Sequence, residues 1–419
     1  MSNYSLRITL LGWSICLMGA VFYCYEYFLR ILPSTITPEL MQHYQIGAGA
    51  LGNLAAFYYY IYTPMQIPVG VLMDRYGPRR LLTMACGLCA LGSYLFITPS
   101  YWMAAFGRFL IGFGSAFGFV GVLKLATVWL PPSRFSLVTG ITMTLAMIGA
   151  LAGNIVIAHL VELKGWQSTL FLAAHLGVLL TLIIFVVVKD KHIVPRKSVP
   201  IDWPHLMKSV LRVLLARNIW LCGIIGACMY LSLSVFAELW GIPFLTQAKG
   251  FSRTEASIAV SMIFLGWAIG SPVIGYVSER LKTHISPIII GSLLAALFMG
   301  VVILFLQLSF MSVCILLFLV GFTISAEILV FTLGWEAVNN AIAGTAIAVV
   351  NMLVMLAGVF LQPLVGILLD MAGNEKIIDG IRIYAPTDYQ NALLIIPLSF
   401  LLAAVLAGFL RKHKKIALE

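Results

Sequence analysis

The chain has 419 residues, 61% of them hydrophobic and only 10% charged, with a formal net charge of +10 at pH 7. Water-soluble domains lie near 45–50% apolar and about 25% charged, so the excess apolar surface has to face lipid, and a soluble globular domain is excluded. The mean hydropathy of +1.01 points the same way.

A membrane-spanning helix needs roughly 20 apolar residues, and about twelve stretches meet that length. They fall at 9–33, 47–72, 79–98, 101–130, 135–163, 166–188, 217–246, 254–278, 285–306, 309–335, 341–369 and 389–410. Because the runs are continuous rather than alternating, a membrane β-barrel is excluded. The expected fold is an all-α membrane protein with twelve transmembrane helices in two six-helix bundles. The first run lacks a basic n-region and a small-residue cleavage site, so it is read as a span and not as a signal peptide.

Within that first run, Tyr23, Glu26, Tyr27 and Arg30 recur at i, i+3, i+4 and i+7 and share one helical face. A polar stripe on an apolar helix faces the bundle interior. Glu26 and Arg30 are spaced to pair, either as a self-neutralising structural pair or as substrate and coupling groups. The second run carries Tyr58, Tyr59, Tyr60 and Tyr62, then Pro64, Gln66 and Pro68. Tyr58 and Tyr62 share a face with Gln66 and offer hydroxyl and amide groups to a polar solute, while the other tyrosines suit packing or the interface.

Beyond the second run the chain reads Gly70-Val-Leu-Met-Asp74-Arg75-Tyr-Gly77-Pro78-Arg79-Arg80. Asp74 at a helix end can receive Arg75 or Arg79 and face the positive end of a neighbouring helix, an arrangement suited to a conformational latch. In the fourth run Arg108 has no acid nearby on its own helix and cannot shed its charge, so it needs an anion from elsewhere. Lys124, nearer the end of that run, is able to snorkel. Asn154 and Asn351, in the fifth and eleventh runs, suit a cavity or interhelical hydrogen bonds, and Gly149/Gly153 and Gly266/Gly270 suit close packing.

In the later runs Glu238 and Glu327 have no cation at helical spacing. Low dielectric disfavours a carboxyl's charged form, which makes both candidates for proton coupling alongside Glu26, with Glu327 the deeper. Ionisable groups within spans cost on the order of 2.5–3.5 kcal/mol each and persist where they pair, line water or work.

Placed on this topology, eighteen of the Lys and Arg residues fall on the side of the N-terminus, Arg75, Arg79, Arg80, Arg134, Lys208, Arg212 and Arg217 among them, against Lys164, Lys249, Arg253, Lys376 and Arg382 opposite. That bias puts both termini in the cytoplasm and makes the basic balance a signature of topology and anionic lipid, with no nucleic-acid partner. The seven cysteines all lie in apolar runs, so no disulfide is assigned, and the Cys86/Cys89 spacing lacks the His partners of a metal site.

The charged stretch 190–216, with Pro195, Pro200 and Pro204, is read as a cytoplasmic linker between halves 1–189 and 217–419. Two echoes support the division. Gly275-Tyr-Val-Ser-Glu279-Arg280 repeats the Gly70 pattern, and Phe318-Leu-Val-Gly321-Phe322 repeats Phe109-Leu-Ile-Gly112-Phe113.

The Gly70 to Arg80 segment resembles the signature loop of the major facilitator superfamily, and Arg108-Phe-Leu-Ile-Gly112-Phe-Gly114 resembles that superfamily's fourth-helix motif. Pro78 departs from it, standing where the family usually has a basic residue. The strings Glu26-Tyr-Phe-Leu-Arg30-Ile-Leu-Pro33-Ser34 and Met65-Gln66-Ile-Pro68-Val-Gly70 resemble a proteobacterial branch that includes phagosomal nutrient transporters and sequences labelled sugar-phosphate permeases. The resemblance implies a multi-pass bacterial inner-membrane transporter working by alternating access.

Cations sit only in the first-half spans and acids alone in the second, which favours a zwitterion over a dianion. The expected function is proton-coupled uptake of an amino acid or similar solute. An organic-anion or sugar-phosphate transporter and a transporter-like sensor are the alternatives. No catalytic motif is present, so no enzyme activity and no cofactor are expected. The expected partners are solute, protons and membrane lipid, with the chain a monomer.

Overall fold

A computed structural model describes residues 3–189, 203–339, 342–372, 376–378 and 381–410. Residues 190–202, which hold much of the expected linker, lie outside them. The described residues are helical almost throughout, because in lipid a backbone has to satisfy its own polar groups.

In the first half the helices are α1 (Asn3–Thr35), α2 (Thr37–Tyr44), α3 (Ala48–Met65), α4 (Val69–Tyr76), α5 (Pro78–Leu95), α6 (Tyr101–Ser115), α7 (Gly118–Trp129), α8 (Phe135–Lys164) and α9 (Trp166–Val187). There follow α10 (Trp203–Leu214), α11 (Arg217–Leu231), α12 (Gly241–Gln247), α13 (Arg253–Leu281), α14 (Ile285–Leu304), α15 (Phe310–Ile324), α16 (Leu329–Glu336), α17 (Ala343–Ala372), α18 (Pro386–Leu393) and α19 (Ile395–Ala407). Among the described residues, ten helical stretches are long and apolar enough to cross a membrane. The run at 47–72 holds α3 and the first turn of α4, and the run at 79–98 coincides with α5 to within a few residues.

Breaks within runs have local causes. Pro64 and Pro68 bracket the turn between α3 and α4, where a missing N–H interrupts the helical ladder. Gly77 ends α4 at φ +80°, a conformation only glycine adopts readily, and Pro78 then opens α5 where its missing N–H is not needed. A π-helical segment, Ser232–Trp240, joins α11 to α12, and a tight 3₁₀ turn, Ser325–Ile328, joins α15 to α16. Helix α13 begins with a reciprocal cap, Ser252 Oγ accepting the Glu255 N–H while Glu255 accepts the Ser252 N–H.

Several of the described elements fall outside the apolar runs. Helix α2 is short and polar, and the hairpin of β1 (Lys376–Ile378) and β2 (Ile381–Ile383) pairs Lys376 with Ile383. Part of the expected linker is the helix α10. Pro204 sits in its first turn, where proline is tolerated.

By packing, the described chain divides into two units, 1–30 with 60–201 and 31–59 with 202–419. In the first, α5 packs on α6 and α9, and α7 and α9 flank α8. Gly149 of α8 meets the Cys24 backbone of α1, as a small residue at a crossing allows. In the second, α13 packs on α15, α11 on α17 and α19, and α14 on α15 and α19. Gly266 meets the Phe318 backbone at the α13–α15 crossing.

Candidate solute and proton sites

In the first unit, α1 supplies a buried ion pair. Arg30 Nη2 lies 2.6 Å from Glu26 Oε1, with the side chains 1% and 0% exposed. The one-turn spacing on a helix puts both on one face. The Arg30 guanidinium lies over the rings of Tyr27 at 4.4 Å and Tyr62 at 4.8 Å, contacts that stabilise a desolvated cation. Tyr23 packs edge-on against Tyr27 at 5.1 Å and tilted against Phe119 at 5.5 Å. Four stripe residues predicted from the sequence, Tyr23, Glu26, Tyr27 and Arg30, thus cluster with Tyr62, and Gln66 Nε2 donates to the Tyr62 carbonyl at 3.2 Å.

Arg108 of α6 reaches the backbone of α1. Its Nη1 donates to the Leu29 carbonyl at 3.0 Å and its Nη2 to the Arg30 carbonyl at 3.4 Å. Asn154 is fully buried in α8 of the same unit.

At the signature loop, Asp74 takes Lys124 of α7 as its ion-pair partner at 2.6 Å, in place of Arg75 or Arg79. Both partners are partly exposed, Lys124 at 32% and Asp74 at 65%. Arg79 instead donates through Nε and Nη2 to the Phe185 carbonyl, at 3.2 and 2.9 Å. Arg75 lies over the Tyr76 ring at 5.6 Å. Gly70 has open space where a Cβ would stand, and Arg80 is exposed.

The second unit holds the acids. Glu238 is buried within the π-helical segment and accepts a hydrogen bond from the Tyr59 hydroxyl. Tyr59 packs edge-on against Tyr58 at 5.2 Å. On the same segment Trp240 Nε1 donates to the Gln362 carbonyl at 3.0 Å, and Gln362 Nε2 donates to the Ser234 carbonyl at 2.6 Å. The wide π turn carries Ser234, Glu238 and Trp240 together, a local geometry frequent at functional sites. Glu327 is buried in the 3₁₀ turn between α15 and α16. Its Oε1 is 3.8 Å from where a Cβ on Gly226 of α11 would stand. Among the described residues its carboxyl has no ion-pair partner. Asn351 is half-buried on α17.

Sequence spacing did not single out Tyr59, Ser234 and Gln362, since their partners lie far along the chain. It also missed Asp370. This carboxylate, at the end of α17, accepts the N–H groups of Ala48 at 2.9 Å and Gly49 at 2.8 Å and the Tyr384 hydroxyl at 2.6 Å. It therefore caps the start of α3, where N–H groups have no helical acceptor. Backbone contact makes the cap possible, because a Cβ on Gly366 would stand 2.2 Å from the Ala48 carbonyl oxygen. Nearby, Arg253 of α13 pairs with Glu39 of α2.

The sequence profile of the Major Facilitator Superfamily matches residues 15–362. The chain is 23% identical over 384 residues to the uncharacterized transporter YybO of Bacillus subtilis (strain 168), an alignment covering 83% of this chain and 85% of that one. It is 24% identical over 279 residues to the "Probable sulfoacetate transporter SauU" of Cupriavidus necator, covering 64% of each. Its backbone is similar to that of a bacterial homolog of the human lysosomal transporter Spinster, in an inward-facing and unoccupied conformation, with a TM-score of 0.73 at 16% identity over 95% of both chains.

Proposed function

We propose, from the premise that this chain belongs to the Major Facilitator Superfamily and is a transporter of small solutes, that it takes up an amino acid or a similar zwitterion together with protons. In this reading twelve spans form two six-helix halves, 1–189 and 217–419, in a bacterial inner membrane with both termini in the cytoplasm. The halves open alternately to either side, the Asp74 to Arg80 loop latching one of the two states.

The observation that carries the zwitterion is the buried Arg30–Glu26 pair. Each charge already has its opposite, so a solute carboxylate on Arg30 and a solute ammonium on Glu26 exchange one neutral arrangement for another. A dianion would leave Glu26 facing like charge, which costs free energy in a desolvated site. The aromatic wall of Tyr23, Tyr27 and Tyr62 adds ring faces that attract an ammonium. Arg108, Asn154, Asn351, Tyr58 and Gln66 complete the candidate binding groups.

Proton coupling rests on Glu327. A carboxyl buried at a helix break without an ion-pair partner among the described residues has its charge compensated most readily by a proton. Glu238, held by the Tyr59 hydroxyl, is the second proton candidate.

Uptake into proteoliposomes across a panel of amino acids tests this. Stimulation by an inward proton gradient for at least one amino acid supports it, and no stimulation across the panel rejects it. Similarity to SauU favours one second reading, an organic anion. Uptake of sulfonates or carboxylates without an ammonium group, in the same vesicles, would select that reading instead.

A further inference from the structure

Helix α10 presents Trp203, Met207, Leu211 and, just past its end, Leu215 on one exposed line at intervals of four residues, with Leu215 85% exposed. Val210 and Val213 are buried, and α10 packs against α11 and α17. One face is therefore used and the other is apolar and open. Lys208 and Arg212 follow Met207 and Leu211 directly and are exposed, as is Arg217 at the start of α11. Among the described residues none of the three is in an ion pair.

Trp220 fixes the junction. Its Nε1 donates to the Leu214 carbonyl at 2.8 Å, one of the carbonyls the end of α10 leaves without a helical donor. Trp220 also heads an apolar groove of about 500 Å³, lined by Ile224 and Leu231 of α11, Leu353 and Phe360 of α17 and Leu398 of α19. At 1.5 Å rise per residue, the length of α11 from Trp220 to Leu231 is roughly 16 Å, close to one leaflet of a hydrocarbon core of about 30 Å.

We propose that α10 and this groove form a binding site for an anionic phospholipid. One acyl chain lies in the groove, and the headgroup phosphate meets Lys208, Arg212 and Arg217. Trp203, Met207, Leu211 and Leu215 sink into the same leaflet at the headgroup boundary. An amphipathic helix with cations flanking its apolar line lies in the interface plane in this way, and basic groups beside a span recognise anionic headgroups. A soluble protein partner would need neither an apolar groove of leaflet length nor its link to α10 through Trp220. The site rests on the topology proposed above, with α10 on the cytoplasmic side, but not on the identity of the solute.

The test uses the full-length protein in nanodiscs of phosphatidylcholine, alone or mixed with phosphatidylglycerol, followed by thermal unfolding. The wild type is expected to melt several degrees higher with phosphatidylglycerol, as binding to the folded state requires. A Lys208→Gln, Arg212→Gln, Arg217→Gln variant is expected to lose most of that increment while keeping its melting temperature in phosphatidylcholine. Leu398→Trp, which fills the groove without touching the charges, is expected to lose part of it. Equal melting temperatures in the two lipids would overturn the proposal, as would an undiminished increment in the triple variant. Reproduction of the increment by inorganic phosphate in phosphatidylcholine discs would overturn the acyl-chain site. Solute uptake measured in parallel separates this outcome from a failure of the transport reading.

Discussion

Arg108 donates from Nη1 to the carbonyl of Leu29 at 3.0 Å, and Leu29 is the residue whose helical donor would be the N–H of residue 33, which is Pro33. Proline has no N–H to give, so a guanidinium from α6 fills the gap in the ladder of α1, one residue from Arg30. Arg108 thereby holds in place the backbone that carries the Glu26–Arg30 pair.

Arg108→Ala is expected to cost about 1.5–3 kcal/mol, the usual range for a hydrogen bond from a charged group in a buried setting. In a Pro33→Ala background the backbone can supply its own donor, and the same substitution is expected to cost less. Thermal unfolding of the four proteins measures the coupling, and strictly additive losses would show that the Leu29 carbonyl does not matter.

Asp370→Ala removes the acceptor for the first N–H groups of α3. A loss of about 0.5–2 kcal/mol is expected, the range for a helix cap, with Asp370→Asn costing less because one oxygen remains. Tyr384→Phe, which keeps the carboxylate and removes one hydrogen bond, is expected to cost less than Asp370→Ala. Denaturation of the purified variants in detergent checks the order, and an unchanged melting temperature for Asp370→Ala would show that solvent caps α3 equally well.

Burial pushes the Lys249 ammonium, which lies between spans and donates to the Phe305 carbonyl at 2.6 Å, down to about 8 from its ordinary 10.5. Between those values the unfolded chain holds more protons at this site than the folded one, so this group's contribution to stability rises with pH across that window. Below about 8 both forms are charged and its cost is fully present. Labelling by an amine-directed reagent over a pH series is expected to show Lys249 half-reactive near pH 8. A midpoint shared with the exposed lysines would contradict it.

Helices and their faces were readable from the chain because each depends on residues within a few turns. The stripe from Tyr23 to Arg30 lies on one helix, and the structure keeps it together. Breaks were harder to foresee. Pro64 and Pro68 flag the turn after α3, whereas nothing local in Ser232–Trp240 announces a π-helical register. Long-range partners were not legible at all, since Tyr59 and Glu238, or Asp370 and Ala48, are set by how helices cross. Arg108 shows the same limit. Its charge marked it as a residue needing an acceptor, but nothing along its own helix pointed to the Leu29 and Arg30 carbonyls that accept its hydrogen bonds.

The proton-coupling claim is tested most directly with Glu327→Gln, reconstituted and compared with wild type in two assays on the same vesicles. The account predicts that uptake driven by an inward proton gradient is lost, while counterflow of labelled solute, which needs no net proton movement, persists. Gradient-driven uptake by the variant at the wild-type rate would contradict it.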